Sequence, residues 1–380
     1  MVKGFPISLS NLYWFVDHPD AAAYPAGKKG YQEMTHGTQI TKSAGMLWIA
    51  LYILLSGFAQ TEASTIRKGQ VGFRFLENPV SAEALGRGGL GVVTLRNVNT
   101  VYWNPAGLGW VLGKVDFAAN YTKGIADINH SALAGAVRLG GFGFLAVDAL
   151  IMDYGELQGT RRAGNSQGFV DTEVFTPQAY ALGLSFSQQI SNRFSYGIRV
   201  KYARQDLGTA YIGTGGTDVD DPDFEYGSRR YSLSEPAIDV GTIYDFQSYG
   251  LRFGASMQNI SREIRYEEEK FPLPYAVSFS LTAAPLAFLV GNPETTDLLV
   301  GFETRHPRDF RERVKFGAEY TLHELLILRS GYLMNYDERG FTFGLGIRPE
   351  YGKSRIRIDY AFQEFGLFGI THLISFGVSR

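Results

Sequence analysis

Residues 194–204 read Phe-Ser-Tyr-Gly-Ile-Arg-Val-Lys-Tyr-Ala-Arg, in which large apolar side chains alternate strictly with small or charged ones. Successive residues of a β-strand point to opposite faces, so this segment predicts a strand with one apolar face and one polar face. The apolar face meets either the core of a soluble sheet or the lipid around a membrane barrel whose lumen is polar. The number of such segments and the lengths of their connections distinguish these two folds.

The same alternation recurs along the chain and predicts about fourteen strands. Single-chain barrels of bacterial outer membranes have an even number of antiparallel strands, in a range that includes fourteen. The predicted strands lie at 115–121, 133–139, 142–148, 180–187, 194–204, 238–246, 251–258, 275–282, 298–304, 314–320, 326–332, 341–347, 356–362 and 374–378.

The connections between these segments alternate between short and long, apart from one long connection at 285–296. Outer-membrane barrels have short periplasmic turns and longer extracellular loops, whereas a soluble β-sandwich does not sort its connections by length. The sequence therefore predicts an all-β, transmembrane, antiparallel β-barrel of the outer-membrane type, with both barrel termini in the periplasm. Short connections are predicted at 189–193, 247–250 and 321–324, and long polar ones at 153–177, 205–236 and 260–274.

The composition excludes several classes of function. The 36 Lys and Arg are balanced by 38 Asp and Glu, which argues against a nucleic-acid partner because phosphate contacts need a basic excess. The absence of cysteine excludes disulfides, thiolate metal sites and cysteine nucleophiles. Aromatic residues make up 14% of the chain, which suits the aromatic girdles of a membrane barrel.

The amino-terminal part predicts export. An apolar run at 46–59 is too short to span a membrane as a helix and suits the core of a signal peptide, with Lys42 on its positive flank. We assign the signal-peptide core and cleavage region to 46–63, with cleavage after Ala59 or Ala63; a buried core helix is the alternative. Residues 1–45 are interpreted as an extended or mis-started leader and not as a domain.

The segment between the leader and the first strand contains Tyr102-Trp103-Asn104-Pro105-Ala106-Gly107-Leu108. This motif resembles the opening of the PorV/PorQ family of outer-membrane proteins, relatives of the FadL fatty-acid transporters, and residues 328–372 resemble the closing strands of that family. The resemblance implies a plug segment at 64–112 followed by the barrel at 113–380. Tyr102, Trp103, Asn104, Pro105 and Gly107 then form the family motif at the plug turn. Since proline restricts the preceding residue and asparagine bonds local backbone, Asn104-Pro105 is a rigid turn or plug anchor, with direct ligand binding as the alternative.

The resemblance implies a non-enzymatic role in type IX protein secretion, in which the barrel binds or shuttles exported proteins that carry a carboxy-terminal β-domain. The alternative is a FadL-like passive channel for hydrophobic small molecules. The predicted lumen positions are mostly Gly, Ser, Thr, Arg, Lys and Gln, which argues against an apolar tunnel. Residues 86–91 match a dinucleotide fingerprint and 164–168 a nucleophile elbow, but neither has the required strand-to-helix context, so no cofactor or catalytic site is expected.

Two charged clusters are candidate binding sites. The loop carboxylates are hard oxygen ligands suited to a weak calcium site, with a solvated loop as the alternative; they are Asp218, Asp220, Asp221 and Asp223. Arg305, Arg308 and Arg311 lie at a predicted extracellular rim, where they would contact lipopolysaccharide phosphates. The chain ends in Arg380 where barrels of this type end in an aromatic residue, and Phe376 is the candidate substitute.

Overall fold

A computed structural model describes residues 69–214, 225–289 and 296–380. The predicted leader at 1–63 and the acidic run Asp218–Asp223 lie outside the described residues. In the described part the predicted strands close into a barrel.

Fourteen antiparallel strands of the described chain form this barrel, and the first pairs with the last over eight residues from Asp116 with Ser379 to Lys123 with His372. The closed fourteen-stranded barrel confirms the predicted fold. The strands are β1 (Val115–Lys123), β2 (Asn129–Arg138), β3 (Phe144–Asp153), β4 (Gln178–Ser191), β5 (Phe194–Thr214), β6 (Glu225–Asp245), β7 (Arg252–Ile260), β8 (Ala276–Ala283), β9 (Thr296–Pro307), β10 (Arg313–Leu322), β11 (Leu326–Met334), β12 (Phe341–Ile347), β13 (Ser354–Glu364) and β14 (Ile370–Ser379).

The side chains that alternate in the sequence point alternately into the lumen and out of the barrel. In β1, Phe117 and Tyr121 point outward and are 44% and 48% exposed, while Ala118 and Asn120 point inward and are 0% and 6% exposed. The other strands also carry exposed Leu, Ile, Val, Phe and Tyr side chains, which cover the outer wall. An apolar band of this extent on the outside of a closed barrel is stable only in contact with lipid. None of the helices in the described residues is long and apolar enough to span a membrane.

The connections separate into two ends of the barrel. The turn end carries both barrel termini and the connections after even-numbered strands, among them the tight turns before Phe194, Arg252 and Leu326. The loop end carries the connections after odd-numbered strands. The long exception at the turn end contains helix α2 (Pro285–Leu289), which accounts for its length.

The predicted loop 205–236 is wrong in its bounds. Strands β5 and β6 stay paired from Tyr202 with Pro236 out to Thr214 with Glu225, with one register shift beyond Asp206. Outside the membrane both faces of a strand can be polar, so the alternation that marks a membrane strand fades although pairing continues. A second ribbon, Leu157–Arg162 with Phe169–Phe175, accounts for much of the predicted loop 153–177.

Residues 69–112 fill the lumen as a plug. The plug enters at the loop end, where the Gly72 amide donates to the Pro272 carbonyl at 3.1 Å, and leaves at the turn end, where Arg138 Nη2 donates to the Val111 carbonyl at 2.8 Å. Residues 92–95 form a buried turn inside the barrel. The plug helices are α1 (Ala82–Gly86) and the 3-10 helices Arg74–Glu77, Val98–Tyr102 and Pro105–Trp110.

Candidate functional site

The Asn104 turn locks the plug to the barrel wall. Asn104 Oδ1 accepts from the Ala106 amide at 3.0 Å and caps the helix Pro105–Trp110. Its amide group donates to the carbonyls of Val92 at 3.0 Å and of Thr242 at 3.2 Å. One fully buried side chain therefore joins two parts of the plug to strand β6.

Two inward glycines of the wall make room for this turn. A Cβ at Gly241 would overlap Asn104 Oδ1, and a Cβ at Gly197 would overlap the backbone of Pro105 and Ala106. The turn and these two wall positions fit one another so closely that no side chain can be added.

The neighbouring motif residues also join plug and wall. The Tyr102 hydroxyl donates to the Leu133 carbonyl at 2.7 Å and lies 3.0 Å from that of Ala149, which places the ring against β2 and β3. Trp103 Nε1 donates to the Val80 carbonyl at 3.0 Å within the plug. A Cβ at Gly107 would overlap Thr100 Oγ1. All five residues of the sequence motif thus lie where the plug folds on itself or meets the wall.

One side of the plug is fixed by buried ion pairs to β10, β11 and β13. Arg87 of the plug lies 2.6 Å from Glu319 and 3.2 Å from Glu83. Arg329 lies 2.6 Å from Glu319 and 2.7 Å from Asp359. These alternating charges neutralise one another inside the barrel, and removing one member leaves its partners short of compensation.

A second buried network belongs to the opposite wall. Arg199 Nε donates to Asp148 Oδ2 at 2.9 Å and its Nη1 donates to Asp239 Oδ2 at 3.0 Å. Asp239 also accepts from Lys201 Nζ at 2.7 Å and from the Asn259 amide at 2.7 Å. The last bond lies at a register shift between β6 and β7, so the network also holds a bulge of the wall.

An apolar cluster fills the loop-end half of the lumen between the plug and β2 to β6. Its plug members are Phe73, Phe75 and Val80, which pack on small or flexible residues of the wall. The alternating sequence pattern does not predict this cluster, because isolated alanines carry no signal of a shared cluster. The wall members are Ala132, Leu150, Met152, Ala179, Ala181, Ala203 and Ala237, and Ile264 and Leu273 of the loop end complete the cluster.

A second apolar cluster continues toward the turn end. Tyr102 packs against both clusters and joins them. The two clusters and this tyrosine form what we call the apolar seam, which runs from the loop end to the turn end between the plug and β1 to β6. The members of the second cluster are Val98, Val101, Leu108 and Val111 of the plug and Ala118, Ala134, Ala136, Phe144 and Ala146 of the wall.

Cavities lie at both ends of the barrel. At the loop end, a groove of about 780 Å³ touches Phe73, Tyr154, Leu207 and Phe271, and so reaches the outermost member of the apolar seam. At the turn end, a charged cavity of about 690 Å³ lies under the plug. It is lined by, among others, Arg96, Arg252, Arg348, Arg357, Glu83, Asp297 and Glu319.

The predicted lipopolysaccharide contact is wrong for Arg305. Its side chain is buried in the lumen, where Nη1 donates to Gln258 Oε1 at 2.7 Å. Arg308 and Arg311 are exposed at the loop end, and Arg308 pairs with Glu263 at 3.2 Å. For these two residues the contact stays a prediction. The calcium candidates lie outside the described residues, which contain no group of carboxylates and histidines able to hold a metal ion.

A family model described as "F plasmid transfer operon, TraF, protein" matches residues 111–347. Among solved structures, the toluene transporter TbuX of Ralstonia pickettii is 14% identical, with a TM-score of 0.51 over 82% of this chain and 98% of that one. The toluene transporter TodX of Pseudomonas putida is 11% identical, with a TM-score of 0.52 over 78% of this chain and 97% of that one. No curated protein is significantly similar in sequence.

These structures share the fold of this chain. At such low identity they establish the closed β-barrel fold and nothing about the molecule transported. The matched family is not the PorV/PorQ family that the sequence motif suggested, so that finer assignment has no support.

Proposed function

Since the chain belongs to the family described as "F plasmid transfer operon, TraF, protein" and has the fold of the toluene transporters, we propose that it is a passive outer-membrane channel for small hydrophobic molecules. The observation that carries this proposal is the apolar seam, which joins the loop end to the turn end along one side of the plug. The proposal involves transport alone and no chemical step.

The seam is closed in this structure by the plug itself. Phe73 and Phe75 occupy the loop-end cluster, and they lie in a segment that runs from Phe73 to Ser81. Phe73 and Ser81 both have positive φ, of 54° and 82°, a backbone state that is costly for residues other than glycine. The two strained residues bound the segment and store energy that its displacement would release.

Displacing this segment would uncover an apolar chamber walled by alanines, Leu150 and Met152. An entering solute buries apolar surface at about 25 cal/mol per Å², which offsets the burial that the phenylalanines lose. Because the solute restores part of the burial that the displaced segment loses, solute and plug exchange reversibly, as a passive channel requires.

We place the loop end at the cell surface and the turn end in the periplasm, as the connection lengths predict. A solute then enters through the loop-end groove, which touches Phe73, and leaves into the charged cavity at the turn end. A charged cavity does not retain an apolar solute, so the last step favours release.

The double substitution Phe73→Ala and Phe75→Ala should raise the rate of toluene entry several-fold, because the plug then competes less for the chamber. We would express the protein in Gram-negative cells without a hydrocarbon channel of their own and measure the initial uptake of radiolabelled toluene. Cells with the unsubstituted protein should already take up toluene faster than cells without it.

Phe368→Ala is the matched control, since Phe368 is 61% exposed at the loop end and lies outside the seam. Its uptake should equal that of the unsubstituted protein. Equal uptake with and without the protein, for a barrel verified as folded in the outer membrane, would rule out the channel.

The export role implied by the PorV/PorQ resemblance has no support in the family match or in the solved structures. Its natural surface would be the two loop-end ribbons, which extend beyond the membrane wall. Recovery of secreted proteins with a shared carboxy-terminal β-domain, by affinity purification from solubilised outer membranes, would restore that role as the leading hypothesis.

A further inference from the structure

We propose that Arg199 and Tyr102 form a selectivity station in the apolar seam that favours aromatic solutes over saturated ones. This inference rests on the proposed channel function and adds the substrate class and the residue that determines it. The station consists of a wall guanidinium and a plug ring, with the Arg199 Cζ atom 5.3 Å from the centre of the Tyr102 ring.

The guanidinium is fixed to the wall. Arg199 donates to both carboxylate oxygens of Asp148 and to Asp239 Oδ2. Asp239 is in turn held by Lys201 and by the Asn259 amide. All these bonds lie in or near the plane of the guanidinium, so they hold its edge and leave its faces for stacking.

The Tyr102 ring lies beside this guanidinium and belongs to the plug. It ends the 3-10 helix Val98–Tyr102, and its backbone carbonyl accepts from Gln258 Nε2 at 2.8 Å. For a solute to pass, the Tyr102 side chain has to rotate out of the seam, while the wall keeps the guanidinium in place. A cationic, planar face is then presented to whatever occupies the seam.

The station lies where the solute has to pass. Tyr102 packs against both apolar clusters, which otherwise share no member. A solute that follows the seam from the loop end to the turn end therefore crosses the position of the Tyr102 ring, next to Arg199.

The chemistry at this point discriminates between solutes of equal size. A guanidinium is attracted to the electron-rich face of an aromatic ring, and the attraction grows when water is excluded. A saturated ring offers no such face, so it meets only a desolvated cation. An aromatic solute that takes the place of the Tyr102 ring restores the contact between the guanidinium and an aromatic face, whereas a saturated solute does not.

Toluene and methylcyclohexane test this inference, because they have the same carbon skeleton and differ in the aromatic ring. The unsubstituted protein should transport toluene faster, by on the order of tenfold. Arg199→Gln keeps a planar, hydrogen-bonding group without the charge. It should lower the ratio of toluene uptake to methylcyclohexane uptake to nearly the ratio found in cells without the protein.

Arg329→Gln is the matched control. Arg329 is also a buried wall arginine held by two carboxylates, Glu319 and Asp359. It lies on the side of the plug opposite Arg199 and outside the seam, so this variant should keep the preference for toluene.

The outcomes separate the two proposals. If neither solute enters faster with the protein than without it, the channel function fails. If both solutes enter and Arg199→Gln leaves the ratio of their uptake rates unchanged, the channel stands and the station is refuted.

Folding of each variant is checked by its heat-modifiable mobility in gel electrophoresis. If Arg199→Gln does not fold, Tyr102→Leu replaces it. Removing the ring opens the path for both solutes, but only an aromatic solute gains the contact with the guanidinium, so toluene uptake should rise several-fold more than methylcyclohexane uptake. An equal rise for both solutes would refute the station.

Discussion

Gly241→Val is expected to expel the Asn104 turn from the wall and to convert the closed barrel into a conducting pore. The valine side chain would occupy the position of Asn104 Oδ1, and the adjacent backbone of β6 has no room to yield without breaking its ladder. Overpacking of this kind costs about 1–3 kcal/mol, and the lost hydrogen bonds of the buried asparagine add about 1 kcal/mol each. Single-channel conductance in planar bilayers should show stable open events that the unsubstituted protein lacks.

Gly135→Val is the control for this substitution. Gly135 belongs to β2, and a Cβ at this position meets nothing within 4 Å. The control should fold, insert and stay closed. A Gly241→Val barrel that folds and conducts no more than the control would show that the turn does not hold the plug.

Arg329→Ala is expected to destabilise the barrel by about 3 kcal/mol, at the lower end of what breaking a buried ion pair costs. The side chain is fully buried between Glu319 and Asp359, and the substitution leaves both carboxylates in the lumen. The loss of unfolding free energy stays at the lower end of that range because Arg87 still pairs with Glu319 and Arg348 still pairs with Asp359. The midpoint of urea-induced unfolding in lipid vesicles measures the effect.

Arg355→Ala provides the comparison with an exposed pair. Arg355 lies 3.0 Å from Glu350 with the two side chains 47% and 64% exposed, and such pairs contribute between 0 and about 1 kcal/mol. Similar unfolding midpoints for the two variants would contradict the structural role assigned to the buried network.

The barrel could be predicted from the sequence because its signal is local. Each membrane strand faces lipid on one side and the lumen on the other. Apolar and polar side chains therefore alternate with a period of two in every such segment, for example 194–204. The signal weakens where the constraint ends. The sequence therefore predicts a loop for the outer parts of β5 and β6, although their pairing continues to Thr214 and Glu225.

The lumen could not be predicted in the same way, because its contacts join residues far apart in sequence. Arg305 looked like a surface arginine, and only the closed barrel shows that it faces Gln258. Arg199 and Asp148 are 51 positions apart, and their pairing follows from the register of β3, β4 and β5. The wall side of the apolar seam consists largely of single alanines, and each of them by itself indicates only a small lumen residue.

The central claim is that the apolar seam carries the solute, and a crystal structure of the protein soaked with bromobenzene tests it most directly. The account predicts anomalous bromine density inside the barrel, in the chamber lined by Leu150, Met152 and the wall alanines of the loop-end cluster, with the Phe73–Ser81 segment displaced. Bromine density confined to the outer, lipid-facing wall, with the plug unchanged in crystals soaked to saturation, would contradict this claim.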